Sequence, residues 1–199
     1  MSRVLAHRYG SAFFVPSAAL ERGRLIHAAC EAYDLGQGPA SLTAELQGYY
    51  EAWKLFTREC SPSWAEDGVE AAFDNEIAGY HGIIDRVGSV KGHHQVVADI
   101  KTGAKRTADK VQLCAYSLGR FPTTWQETQR MGIYIRTDGT YKVHIYEDIE
   151  DYLTWRTILE EVQHGTGDDT RHPAGPSRAG DGSRPVGRAD ANQGRDVLP

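Results

Sequence analysis

The segment 82–116 constrains the fold of this chain more than any other, because it predicts two paired strands followed by a helix. The second strand, residues 95–101, is rich in valine and lies between two glycines. Side chains alternate along a strand, so Asp99 and Lys101 are predicted to share one face. The first strand, residues 80–90, carries Asp85. A turn within residues 88–92 would pair the strands as a hairpin and bring Asp85 close to Asp99.

Two neighbouring carboxylates followed by a lysine favour a site for a divalent metal ion. The carboxylates repel each other unless a positive charge lies between them, and a hard cation with oxygen ligands commonly supplies it. Magnesium fits this donor set better than zinc. Lys101 would then stabilise the charge that develops on a phosphate. The pattern indicates phosphodiester hydrolysis; the alternative is an ordinary cross-strand ion pair between Asp85 and Lys101, with Asp99 in a turn.

The helix predicted for residues 107–119 follows two basic residues, Lys105 and Arg106. Gln112 and Tyr116 are four residues apart and share one face of this helix. Their side chains can hydrogen-bond a bound strand or orient the lysine. Such a pair alone is usual on a solvated helix face, but here it follows the D-x-K triplet closely. We therefore expect Gln112, Tyr116, Lys105 and Arg106 to contact DNA.

The motifs G-I-I-D, V-A-D-I-K-T-G and Q-L-C-A-Y resemble those of the RecB-like branch of the PD-(D/E)xK nuclease superfamily, which also includes phage exonucleases and CRISPR-associated nucleases. The resemblance covers about residues 17–116. It implies an α/β fold, with a restriction-endonuclease-like α-β-β-β-α-β core and N-terminal helices. It also implies that Asp85, Asp99 and the Ile100 carbonyl bind the metal ion and that Lys101 is catalytic.

The resemblance extends to the first long helix, predicted for residues 17–33 with Ser17 as N-cap. Arg22 and Gly23 precede His27 as in the N-terminal histidine motif of RecB-like nucleases. The resemblance implies that His27 is a further metal ligand or orients a metal-bound water, whereas the residues alone indicate an ordinary histidine on a helix face. We expect Gly23 to allow a neighbouring backbone to approach this helix closely.

The remaining pattern predicts a helix at residues 41–60, a strand at 69–78, a hairpin at 129–147 and a last helix at 149–163. The aromatic stripe of the helix at 41–60 is assigned to core packing rather than to stacking on bases. Glu70, in the strand at 69–78, could reach the metal site. Residues 1–164 are predicted to form a single nuclease domain. Residues 165–199 have no Phe, Trp or Tyr and are rich in glycine and proline, which predicts a disordered tail.

Composition limits the remaining choices. The net charge is −5, so any contact with nucleic acid must come from a local basic patch. The sequence predicts no transmembrane helix and no signal peptide, and we expect a cytoplasmic protein without membrane contact. The three cysteines cannot supply the four thiolates of an iron–sulfur cluster, so none is expected.

We expect a deoxyribonuclease that depends on Mg²⁺ or Mn²⁺ and acts as a RecB-like exonuclease on single- or double-stranded DNA ends. Its expected setting is DNA recombination, repair or phage DNA processing. A junction-resolving or restriction-type endonuclease is the alternative with the same chemistry. A catalytically silent nucleic-acid-binding subunit is the alternative from another class, but it would have no physical reason to keep Asp85, Asp99 and Lys101 together.

Overall fold

The computed structural model describes residues 2–9, 16–38 and 41–165. The predicted tail from residue 166 onward lies outside the described residues. In chain order the helices and strands are α1 Ser2–Tyr9, α2 Ser17–Asp34, α3 Ala44–Cys60, β1 Ser63–Asn75, β2 Tyr80–Val90, β3 His93–Lys101, α4 Thr107–Arg120, β4 Gln129–Ile135, β5 Tyr141–Tyr146 and α5 Glu150–Gly165.

The five strands form one sheet in the order β1-β2-β3-β4-β5. Neighbouring strands are antiparallel except β3 and β4, which are parallel. A parallel pair needs a crossover connection, and α4 supplies it. The predicted α/β fold with an α-β-β-β-α-β core is therefore confirmed, and β5 and α5 extend that core.

Helices cover both faces of the sheet, because the central strands carry apolar side chains on both sides. Helices α2 and α3 cover one face, where their side chains pack on Val96, Ala98 and Ile100. Helices α1, α4 and α5 cover the other face, where Val97 is buried. The predicted alternation of β3 is confirmed. The aromatic stripe of α3 is buried, as packing requires.

The β1 strand begins earlier than predicted. Ser63 and Trp64 already pair with β2, and the register then shifts before Val69. This bulge breaks the two-residue period on which the prediction depended. Strand β2 has the predicted bounds, but β3 begins at His93 rather than at Gln95, so the turn between them is confined to Lys91 and Gly92, both with positive φ.

Several helix boundaries also differ from the prediction, and α3 begins at Ala44 rather than at residue 41. Pro16, not Ser17, is the N-cap of α2, and no side chain caps this end. Gly119 lies within α4 rather than at its end. Helix α1 was not predicted, although its Leu5 is completely buried against the α4 side of the sheet.

Candidate active site

Asp85 and Asp99 face each other across the central antiparallel pair. The register of β2 and β3 places them on opposite strands, and both side chains are buried. The Asp85 carboxylate is fixed by the neighbouring backbone, since its Oδ2 accepts a hydrogen bond from the Ile100 N–H at 2.6 Å. Burial opposes ionisation of Asp85, but the nearby His27 imidazole keeps its pKa below the usual value. Burial raises the pKa of Asp99.

His27 reaches this pair from α2. Its Nε2 lies 2.9 Å from the Ile100 carbonyl oxygen, and its Nδ1 lies 3.4 Å from Asp85 Oδ1. A carbonyl only accepts hydrogen bonds, so Nε2 carries a proton here. Burial disfavours the charged ring, but Asp85 outweighs it, together with Asp99 and Glu70, and raises the His27 pKa to about 9. The imidazolium therefore lies between a carboxylate and a carbonyl, the two kinds of oxygen that a metal ion would use.

Glu70 completes a cluster of acidic and imidazole groups. Ligand atoms of Glu70, His27 and Asp85 all lie within 4.8 Å of one another. Glu70 has φ +51°, a left-handed conformation that a residue with a side chain adopts only at a cost of about 1–3 kcal/mol. Its partly buried carboxylate has a raised pKa, first because of burial and then because of Asp85.

Lys101 lies on the other side of Asp99. Its Nζ is 2.5 Å from Asp99 Oδ2 and donates a hydrogen bond to Gln112 Oε1 at 3.0 Å. Gln112 Nε2 in turn donates to the Tyr116 hydroxyl at 2.8 Å. Burial disfavours the ammonium, but Asp99 and then Asp109 raise the Lys101 pKa, so the group stays charged. The predicted helix motif therefore positions the lysine.

These groups open into one cavity of about 700 Å³. Helix α2, Glu70 on β1, the middle of β2, the end of β3, the loop after β3, and α4 form its walls. Arg106 lines the cavity together with Gln112 and Tyr116, whereas Lys105 is not part of the lining. The structure thus brings every predicted site residue to the cavity except Lys105, whose Nζ lies 5.1 Å from the centre of the Tyr146 ring.

The family model for the PD-(D/E)XK nuclease superfamily matches residues 5–179, most of the chain. This chain belongs to the PD-(D/E)XK nuclease superfamily. Its members generally hydrolyse phosphodiester bonds with the help of divalent metal ions, which implies a nucleic-acid substrate. No curated protein matches the sequence. No helix among the described residues is both long enough and apolar enough to span a bilayer.

The donor atoms of this nuclease fit a divalent cation. Three carboxylates, from Glu70, Asp85 and Asp99, line the cavity together with Ile100. Oxygen donors of this kind suit magnesium or manganese. The Asp99 Oδ2 atom is buried and has no well-directed hydrogen bond, although the Lys101 ammonium is close. An additional positive charge would therefore be stabilised at this position.

Arg86 also lies beside the acidic residues of the site, although it was not among the residues predicted from the sequence. Its guanidinium is fully buried, donates to Asp34 Oδ2 at 2.7 Å and lies 5.4 Å from the Trp53 ring centre. It also contacts Glu70 Oε1 at 3.3 Å and the Asp85 carbonyl oxygen. Arg86 thus connects α2 and α3 to both acidic strands. The available signal was an arginine within an apolar strand, next to a candidate ligand.

Proposed function

We propose that this nuclease is a RecB-like exodeoxyribonuclease that uses Mg²⁺ or Mn²⁺ to degrade DNA from its ends. The observation that carries the proposal is the convergence of His27 and the Lys101–Gln112–Tyr116 chain on one acidic cavity. These groups lie outside the acidic pair of Asp85 and Asp99. They match the N-terminal histidine motif and the helix motif that the RecB-like branch implies. DNA recombination, repair and phage DNA processing are the settings in which such an activity acts.

Five groups would hold the metal ion in this proposal: Glu70, Asp85, Asp99, the Ile100 carbonyl and His27, which would bind as the neutral imidazole, so metal binding would release its proton. When bound, a divalent ion supplies Lewis-acid activation of water and neutralises charge on the phosphate. The residues of the chain place these donors before substrate arrives. Asp85 is fixed by the Ile100 N–H, and Glu70 by Arg86. Little reorganisation of the carboxylates is then needed during the reaction.

Lys101 stabilises the transition state in this proposal. Attack of a water oxygen on phosphorus breaks the bond to the 3′-oxygen, and negative charge increases on the non-bridging oxygens. A buried ammonium interacts with that charge more strongly than an exposed one would. Gln112 and Tyr116 keep Nζ directed into the cavity. The resemblance implies products with a 5′-phosphate and a 3′-hydroxyl.

Digestion of two DNA forms tests the proposal. End-labelled linear DNA and covalently closed circular DNA are incubated with the wild-type protein in magnesium and, separately, in manganese. We expect loss of the linear DNA and persistence of the circle. Nicking or linearisation of the circle would favour an endonuclease of the junction-resolving or restriction type. Binding of both forms without cleavage in either metal would instead favour a silent subunit.

A further inference from the structure

Three basic residues form a patch beside the cavity. Lys105 lies in the loop before α4, and Lys142 and His144 lie on β5; we call these three residues the β5 basic patch. The strand register connects the patch to the active site. Lys101 is paired with Tyr134 on β4, and Tyr134 is paired with Lys142. At about 4.8 Å between neighbouring strands, Lys142 lies roughly 10 Å from the lysine of the active site.

A second row of paired residues also crosses the sheet from β3 through β4 to β5. Asp99 is paired with Gly132, and Gly132 is paired with His144. Gly132 has no side chain, and an added Cβ there would lie 2.9 Å from the Tyr134 ring and 3.2 Å from the Tyr146 ring. The glycine therefore leaves room for the rings of both tyrosines, which lie beside it between the active site and the patch.

Buried hydrogen bonds hold Tyr134 and Tyr146 in place. The Tyr134 hydroxyl donates to Asp109 Oδ2 at 2.7 Å and lies 3.0 Å from the Tyr146 hydroxyl. Asp109 is 2% exposed, and its other oxygen lies 3.8 Å from Lys101 Nζ. The His144 ring packs edge-on against Tyr134, at 5.2 Å between centroids. The patch is thus built on the same network that contacts the catalytic lysine.

The charges of the patch are not neutralised within the described part of the chain. Lys105 and Lys142 are both exposed, and no described carboxylate lies within 4.0 Å of either ammonium. Partial burial lowers the pKa of His144, and the nearby charges of Lys105 and Lys142 lower it further. The charges of both lysines therefore act on His144 and disfavour its protonated form, and an anion bound beside the three side chains would be attracted by both ammonium groups.

We propose that the β5 basic patch binds the phosphodiester backbone of the DNA strand whose scissile phosphate lies at Lys101. This inference rests on the proposed function. A strand that rises about 3.4 Å per nucleotide would reach the patch roughly three nucleotides from the cut. Arg106, which lines the cavity, follows Lys105 directly in the chain. The chain has a net charge of −5, so such a local patch is the means by which it can hold DNA.

The proposal predicts contacts with phosphate rather than with bases. Lysine and histidine N–H groups can donate to phosphate oxygens, and such contacts carry no sequence information. They make affinity depend on salt, because each neutralised phosphate releases a condensed counterion. Loss of one contact should therefore weaken binding to all sequences alike and also reduce the dependence of affinity on salt concentration.

A salt series on matched variants tests the inference. The affinity for a fluorescent DNA duplex is measured in chelator, and kcat/KM is measured in magnesium, both across a range of salt concentrations. For Lys105→Ala and for Lys142→Ala, we expect the slope of log affinity against log salt to become shallower by about 0.9. Lys91→Ala, an exposed lysine at the opposite end of β3, should keep the wild-type slope.

The outcomes separate this inference from the proposed function. If the wild-type protein cleaves DNA but both patch variants keep its slopes, the patch does not contact DNA and the inference is wrong. If the wild-type protein neither binds nor cleaves DNA, the proposed function and the inference both fail. Thermal unfolding of each variant excludes misfolding, because exposed lysines contribute little to stability.

Discussion

Lys101 is the residue with the most direct expected effect on catalysis. Its ammonium is buried and charged, and it contacts Asp99 and Gln112 rather than the hydrophobic core. We expect Lys101→Ala to lower the single-turnover rate of DNA cleavage by about 10²–10³-fold, as for loss of one preorganised electrostatic donor. The magnesium-induced rise in melting temperature should persist. A variant with near-normal cleavage would remove Lys101 from the catalytic group.

Loss of an acidic ligand, unlike loss of Lys101, should reduce the magnesium-induced rise in melting temperature. We expect Asp99→Ala and Glu70→Gln to lose most of the magnesium-induced rise in melting temperature. A ligand present at 100 times its Kd stabilises the folded state by about 2.7 kcal/mol, so the difference is measurable. Glu66→Gln removes an exposed carboxylate from the same strand as Glu70 and should keep the wild-type rise. If Glu70→Gln also keeps the rise, Glu70 is not a ligand.

The sequence revealed some of these residues more readily than others. Asp85, Asp99 and Lys101 lie on regular strands, so side-chain alternation was sufficient to place them together. Glu70 depends on a left-handed backbone conformation just after the β1 bulge, which no two-residue pattern encodes. Arg86 depends on packing of four separate elements around one guanidinium. Such contacts are tertiary, and a local pattern does not contain them.

At the scale of elements, two helical glycines should respond to the same substitution with opposite signs. In α4, a Cβ at Gly119 would lie 2.1 Å from the Phe73 ring, and overpacking of this kind costs about 1–3 kcal/mol. In α2, a Cβ at Gly23 would meet only Thr102 Oγ1, at 4.0 Å. We therefore expect urea unfolding to show that Gly119→Ala is destabilised, although alanine is the better helix former by about 1 kcal/mol.

The matched variant Gly23→Ala should be more stable than the wild-type protein by about 0.5–1 kcal/mol, because nothing opposes the gain in helix propensity. Equal destabilisation of both variants would show that Gly23 is also required for packing. The open space at Gly23 already differs from our expectation of close backbone contact, since the nearest atom is a side-chain hydroxyl.

Helix α1 shows why some elements could not be predicted. It has eight residues, and isolated helices shorter than about 12 residues are marginal in water. Its stability depends on burial of Leu5 against the α4 side of the sheet. The strands and the longer helices, by contrast, have periodic apolar faces that were visible in the sequence.

At the scale of the whole molecule, the extent of the nuclease domain remains a prediction. We expect a chain that ends at His164 to keep its cleavage rate and melting temperature, because the composition of residues 165–199 cannot support a buried core. A chain that ends at residue 179, where the family match ends, is the control. If only the longer chain retains activity and stability, the domain extends beyond α5.

The arrangement of the elements also brings together residues that are far apart in sequence. Lys105 and Lys142 are neighbours because the chain crosses from β3 through α4 to β4 and then pairs β5 at the edge. Strand patterns alone do not specify this order, and the resemblance implied only the core as far as β4. The β5 basic patch therefore became visible only with the sheet register.

One comparison tests whether the chain has a metal-dependent active site. Linear DNA is incubated in magnesium with the wild-type protein and, separately, with Lys101→Ala prepared in the same way. We expect the wild-type protein to degrade the DNA, chelator to stop the reaction and readdition of magnesium to restore it. The Lys101→Ala preparation should leave the DNA intact, which also excludes a contaminating nuclease. Equal degradation by both preparations, or degradation that continues in chelator, would contradict a metal-dependent active site at Asp85, Asp99 and Lys101.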